Sequence, residues 1–155
     1  NSLVLGGAAL TATIASKLAG SPKGTLTAGT MLEALSLTYA FTYPLKLSTR
    51  RLRPDGSNRR SFPSAHASGT FALATVAEVT FGPMIGIPAY ALAGTIALAR
   101  LDSNKHFASD TAAGALLGTL IGLGTAQFHK KEKPDLFVVP GVVESGMTIQ
   151  VVQVF

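Results

Sequence analysis

Residues 79–99 run for 21 positions without a charged side chain, and residues 111–128 for 18. Nothing else in the chain constrains its fold as much. Uncharged stretches of this length belong in helices, either buried in a core or embedded in lipid. Both runs use Ala, Gly and Thr freely, and small residues let helix backbones approach closely in either setting. Across the 155 residues, 47% are hydrophobic and 14% charged, which excludes a disordered polyelectrolyte. The length fits one domain. With no cysteine, a disulfide scaffold, a zinc ribbon and a cysteine nucleophile are excluded. Three histidines and eight acids leave little for a metal cluster, so no metal site is expected.

Punctuation by Gly and Pro divides the chain into about five helices. The first covers 3–19, although Gly6 and Gly7 weaken it. Residues 20–25 have loop chemistry in Gly20, Ser21, Pro22 and Gly24. A second helix is predicted over 27–47, with a kink at Pro44 an option. Residues 53–63 form a loop marked by Pro54-Asp55-Gly56, and Ser64 is placed to cap a third helix over about 64–81. Gly82-Pro83 ends it. Further helices follow over about 84–101 and 107–130. Beyond them, 136–143 and 147–155 are rich in β-branched residues and flank Glu144-Ser145-Gly146, which predicts a short C-terminal β-hairpin. The expected architecture is an all-α bundle within a single domain over 1–155, with its chemistry in 46–130 and a β segment at 136–155. No basic n-region followed by an apolar core and a cleavage site is recognisable, which leaves a removed targeting segment open. A soluble bundle is expected ahead of an integral membrane one, because charges interrupt the other helices and tryptophan is absent.

The net charge of +5 is local. Lys46, Arg50, Arg51, Arg53, Arg59 and Arg60 stand against Asp55 alone within 46–60, while the remainder of the chain is neutral. Such a block calls for an anionic partner. No groove-reading motif or stacking aromatics accompany it, so nucleic acid is not expected.

Three sequence blocks combine into a site for phosphate chemistry. The first runs from Lys46 to Arg53-Pro54, the second is Pro63-Ser64-Ala65-His66, and the third is Arg100-x5-His106-x3-Asp110. Arg53 and Arg100 offer planar donor forks matched to phosphate oxygens, and Lys46 adds a point charge. Ser64 stands at a helix start, where the amides of Ala65 and His66 and the helix dipole favour an anion. His106 and Asp110, four apart, share a helix face. Asp110 can then fix the tautomer of His106 and leave its other nitrogen to attack phosphorus, forming a phosphohistidine. His66 is positioned to protonate the leaving oxygen and later to activate water. One histidine neutral and one protonated implies a bell-shaped pH dependence.

These blocks resemble the three signature motifs of the type 2 phosphatidic acid phosphatase (PAP2) family, K-x6-R-P, P-S-G-H and S-R-x5-H-x3-D. The match covers 46–110. Any one block is weakly specific, but three in order are strongly so. The resemblance implies an all-helical fold shared with the vanadium-dependent haloperoxidases, and hydrolysis of phosphomonoesters or diphosphates without a metal or other cofactor. It also implies phosphate contacts from Lys46, Arg53, Ser64 and Arg100, a nucleophile at His106, an orienting acid at Asp110 and a leaving-group acid at His66. Two positions depart from the pattern. Ala65 stands for the glycine of the second block, which is harmless in a first helical turn but strained at positive φ. Ala99 stands for the serine before Arg100. The implied substrate is a phosphorylated lipid (phosphatidate, a polyprenyl diphosphate or lipid A), acted on outside the cytoplasm, in a bacterial periplasm. A soluble nonspecific acid phosphatase, a vanadium-dependent haloperoxidase and a non-catalytic phosphate-binding or headgroup-binding module are the alternatives.

Residues outside the motifs have plainer readings beside the functional ones. Arg50, Arg51, Arg59 and Arg60 divide between a solvated loop and attraction to a membrane surface or anionic headgroup. His129, before Lys130 and Lys131, reads as exposed in a C-terminal turn, and Lys105 as surface. Glu33 and Glu78 suit exposed helix faces or internal ion pairs. Phe41, Tyr43, Phe62 and Phe107 suit core packing, or an apolar wall for a lipid tail.

Overall fold

A computed structural model describes residues 20, 22–132, 136–143 and 146–153. Four helices lie among them: α1 (Pro22–Thr49), α2 (Ala65–Phe81), α3 (Pro83–Asp102) and α4 (Ala108–Glu132). The helix expected over 3–19 falls outside the described residues. The loop expected over 20–25 is cut short, because α1 begins at Pro22. Proline suits a first helical position, where its missing N–H would be unpaired in any case. The helix also continues through Pro44. Strands β1 (Leu136–Val143) and β2 (Gly146–Gln153) pair antiparallel, with Leu136 opposite Gln153 and Val143 opposite Gly146.

The central helix is α2, which contacts α1, α3 and α4. Ser64 caps it, its Oγ accepting from the Ala67 amide. Its buried residues are nearly all small, including Ala67, Ser68, Gly69, Ala72 and Thr75. The facing surface of α4 is smaller still. A Cβ at Gly114 would lie 2.5 Å from the Ser64 carbonyl oxygen, and one at Gly122 would lie 2.6 Å from that of Ala72. Gly118 between them meets the Ser68 carbonyl in the same way. This glycine stripe, spaced by four, lets the α2 backbone lie against α4 and sets the N-termini of the two helices side by side. The apolar core of Ala34, Val76 and Ala126 joins α1, α2 and α4. Polar bonds also link the helices: Thr42 to Ser68 at 3.1 Å, and Thr75 to the Tyr90 hydroxyl at 2.7 Å.

At the C-terminal end of α4, His129 is buried at 4% exposure and hydrogen-bonds through Nε2 to Oε2 of Glu33 on α1. This corrects the expectation of an exposed histidine. The helix runs on to Glu132, and His129 lies seven residues, close to two helical turns, after Gly122. It therefore faces inward with the glycine stripe. Glu33 is accordingly an internal partner, whereas Glu78 is exposed.

The outer helix, α3, leaves Met84, Ile85, Ile87, Leu92 and Leu98 exposed. By length and composition, Pro83–Asp102 and Ala108–Lys130 are each long and apolar enough to cross a membrane. Phe41 and Tyr43 are also exposed instead of packing in the core.

Candidate active site

The three sequence blocks meet at the end of the bundle where α1 stops and α2 and α4 begin. Arg50, at φ 47°, turns the chain out of α1, and its amide bonds the Lys46 carbonyl at 3.3 Å. The loop that follows is braced by its own backbone. Arg53 N bonds Asn58 O at 3.0 Å, and Ser61 N bonds Arg51 O at 2.9 Å. It is also tied to the segment before α4. Asp55 N bonds Asn104 O at 3.1 Å, and Lys105 Nζ reaches Asp55 Oδ2 at 2.5 Å. That contact and the Ser57 amide hold the exposed Asp55 carboxyl below the ordinary carboxylate range. Ser64 N bonds Asp110 O at 2.9 Å, joining the start of α2 to the start of α4.

Lys46 is 5% exposed in the last turn of α1. Its ammonium donates to the carbonyls of Pro63 at 2.5 Å, Arg60 at 2.9 Å and, weakly, Ser61 at 3.4 Å. Burial, with Arg53 and Arg60 nearby, lowers its pKa to about 8, against an opposing pull from Asp110. Arg53 donates from Nε to Asn58 Oδ1 at 2.9 Å and from Nη1 to the Lys105 carbonyl at 3.1 Å. Its pKa is lowered by burial and by Arg100. Arg100, in the last turn of α3, has a buried Nε with no hydrogen-bond partner, and its carbonyl accepts from the amides of Lys105 and His106.

Around these cations sit two histidines. His66, half-buried in the first turn of α2, has its pKa lowered by burial, then by Arg100, Arg53 and Lys46. His106 is 3% exposed, and burial with Lys46 and Arg53 lowers its pKa to about 4, although the Ser61 backbone and Asp110 pull upward. Its Nδ1 makes no hydrogen bond and lies 3.8 Å from Asp110 Oδ2. The expected His106–Asp110 pair is thus adjacent but open.

Asp110 is fully buried and takes three other donors. Arg51 Nη1 meets Oδ1 at 2.8 Å, while Ser61 Oγ at 2.5 Å and the Phe107 amide at 2.9 Å meet Oδ2. The Arg51 guanidinium also lies 4.3 Å from the centre of the Phe107 ring. Ser61 belongs to none of the three blocks, and Arg51, expected in a solvated loop or against a membrane surface or headgroup, instead meets Asp110. Residues 49 and 59 positions from Asp110 carry no local signal of the contact. Arg50, Arg59 and Arg60 are exposed. Ala65 has no positive φ and occupies the first position of α2, where alanine is unstrained. The first-turn amides of Ala65 and His66 have no carbonyl within the helix to pair with.

A buried, uncharged imidazole beside a carboxylate, with cations from three chain segments, has the parts to attack an anionic centre and hold its charge.

Over 80 residues the chain is 39% identical to a lipid A 1-phosphatase of Porphyromonas gingivalis, covering 50% of this chain and 18% of that protein. Over 96 residues it is 33% identical to a decaprenylphosphoryl-5-phosphoribose phosphatase of Mycobacterium tuberculosis, covering 56% of this chain and 52% of that protein. The matched part is therefore about half the length of the second relative and less than a fifth of the first. No solved structure matches the chain. The family model of the PAP2 superfamily matches residues 27–134, which span all three blocks, and the chain belongs to that superfamily.

Proposed function

We propose that this protein is a metal-independent phosphatase that hydrolyses the phosphate of a lipid through a phosphohistidine intermediate. One observation carries the reading. His106 is buried and uncharged among Lys46 and Arg53, with the Asp110 carboxylate 3.8 Å from its Nδ1. A histidine serving only the core has no use for neighbouring cations, which make its protonated form costly.

The substrate phosphate lies between Lys46, Arg53, Arg100, the Ser64 hydroxyl and the first-turn amides of Ala65 and His66. Arg100 brings its unpartnered Nε, and a phosphate oxygen displaces the weak 3.4 Å bond from Lys46 to Ser61. The Ser64 hydroxyl accepts from Ala67 and retains its own proton to donate. Attack from His106 Nε2 requires the proton on Nδ1, and a small closure of the 3.8 Å gap lets Nδ1–H donate a hydrogen bond to Asp110 Oδ2 while keeping its proton. The N–P bond forms as the P–O bond to the leaving alcohol breaks, and His66 gives that oxygen a proton. Water then attacks phosphorus, His66 takes its proton, and the N–P bond breaks to release inorganic phosphate and neutral His106. Binding the dianion raises the pKa of His66 from its lowered value, so the acid is protonated when it is needed.

Two features support a lipid substrate. The relatives are named for lipid A and decaprenylphosphoryl substrates. The exposed Met84, Ile87, Leu92 and Leu98 of α3 suit contact with acyl chains. On this reading α3 and α4 sit in a bilayer, and the site opens at its extracytoplasmic surface.

The test uses the chain in detergent with p-nitrophenyl phosphate, a diacylglycerol phosphate and lipid A, with and without a chelator. Turnover that is chelator-resistant and lost in His106→Ala is expected. No turnover, or unchanged activity in that variant, overturns the reading, and loss on chelation overturns its metal-free form.

A further inference from the structure

Arg51 lies outside the motif positions, yet it is one of three groups that hold the Asp110 carboxylate. The division of labour around that carboxylate is specific. Arg51 Nη1 takes Oδ1 at 2.8 Å, the oxygen other than the one measured against His106, and it reaches Ser109 Oγ at 2.8 Å from the same nitrogen. Ser61 Oγ and the Phe107 amide take Oδ2, the oxygen 3.8 Å from His106 Nδ1. Arg51 and Ser61 are themselves joined, the Ser61 amide bonding the Arg51 carbonyl at 2.9 Å. The Phe107 ring, next in sequence to His106, lies under the Arg51 guanidinium, 4.3 Å from its carbon to the ring centre. A carboxylate held at both oxygens cannot rotate freely, and a fully buried one needs a countercharge.

We propose that Arg51 is a positioning residue for this reaction: with Ser61 it clamps Asp110 so that Oδ2 stays turned toward His106. The inference rests on the phosphatase reading above and extends it beyond the three motifs. Arg51 acts through Asp110 and does not touch the phosphate. Its charge also offsets that of Asp110 as His106 feels it. The other charged and titratable groups at this site are Lys46 from α1, Arg53, Asp55 and Arg60 from the loop, His66 from α2 and Arg100 from α3. Lys46 and Arg53 oppose a charge on the imidazole and Asp110 favours one, so the Arg51 contact to Oδ1 bears on how much of the Asp110 charge reaches the ring.

The experiment compares the parent with Arg51→Gln and Arg51→Lys in detergent, using p-nitrophenyl phosphate across pH. The ring titration of His106 is followed by NMR in phosphate-free protein. In Arg51→Gln, kcat should fall about 10- to 100-fold with KM changed less than about threefold, as expected for lost orientation. The His106 midpoint should rise by about half a unit or more, because Asp110 is no longer offset. Arg51→Lys should restore the parent midpoint. A parent-like kcat and midpoint in Arg51→Gln overturns the proposal, and so does a loss confined to KM, which would make Arg51 a substrate contact. If Arg51→Gln fails to fold by circular dichroism, Ser61→Ala carries the test. It removes the other arm without a charge change, and parent-like kcat there overturns the clamp. A parent without turnover sinks the phosphatase reading alone; the ring titration still decides the clamp, with an unmoved midpoint in Arg51→Gln counting against it.

Discussion

Two histidines are buried almost equally at opposite ends of α4, His106 at 3% exposure and His129 at 4%, and each lies beside a carboxylate. By helix rise they are about 30 Å apart. His129 is hydrogen-bonded directly to Glu33 and ties α4 to α1. His106 stands 3.8 Å from Asp110, whose oxygens are taken by Arg51, Ser61 and the Phe107 amide. Burial alone therefore does not mark a reactive histidine. A ring bonded to its carboxylate contributes a link between helices. A ring kept neutral by burial and by neighbouring cations, with its carboxylate near but engaged elsewhere, is the candidate nucleophile of the two.

The sharpest way to break this contrast is to delete each ring. His106→Ala should lower kcat by about 10⁴-fold or more, while His129→Ala should leave it within about threefold. Equal losses measured on p-nitrophenyl phosphate would show that the two sites are not distinct in kind. Replacing the carboxylates should separate them again. Asp110→Asn should cost about 10²- to 10⁴-fold in kcat, since the tautomer of His106 loses its reference. Glu33→Ala should act on stability instead, by about 1 to 3 kcal/mol in denaturant unfolding, because it removes the buried hydrogen bond that ties α4 to α1.

The pH dependence tests the electrostatic half of the comparison. With His106 lowered to about 4, the acid limb of kcat/KM should fall near pH 4. The basic limb, where free-enzyme His66 loses its proton, should lie below 6.5. Lys46→Met should move the acid limb upward, because it removes a cation that opposes protonation of His106. The same shift has a stability consequence. Between about 4 and 6.5 the unfolded chain binds a proton at His106 that the folded chain does not, so this contribution falls as pH drops through that window. A limb at an ordinary histidine value in the parent would remove the cation cage from the account. The smallest effect belongs to Lys105→Gln, which breaks only an exposed ion pair with Asp55 and should raise KM by no more than about threefold.

Much of the candidate site was legible along the chain because its proposed reactive groups sit at local signals. Ser64 announces a helix start, Gly82-Pro83 marks a break, and His106 and Asp110 are four residues apart. Ala65 could be judged by whether its position is helical. What escaped lies in contacts between distant segments. Arg51 reads as one of several loop arginines until the fold brings it to Asp110, and Ser61 carries no motif. His129 was legible in principle, since its helical phase matches Gly122. Its place beside Lys130 and Lys131 suggested a solvated end, but the helix continues past all three. The strongly exposed apolar face of α3 was not separable from a buried one by composition, because an uncharged run of small residues suits lipid and protein equally.

The braced loop between Arg53 and Ser61 has a consequence for selectivity. Its backbone bonds, and the clasp to Asn104 and Lys105, limit the conformations open to the segment that carries Arg53. Binding then demands little ordering entropy, for substrate and for free orthophosphate alike. Under the proposed function, product competes for a ready-made seat, and inhibition by inorganic phosphate is inherent in the architecture. Discrimination among phosphorylated molecules falls to whatever the remainder of the substrate touches outside the cradle.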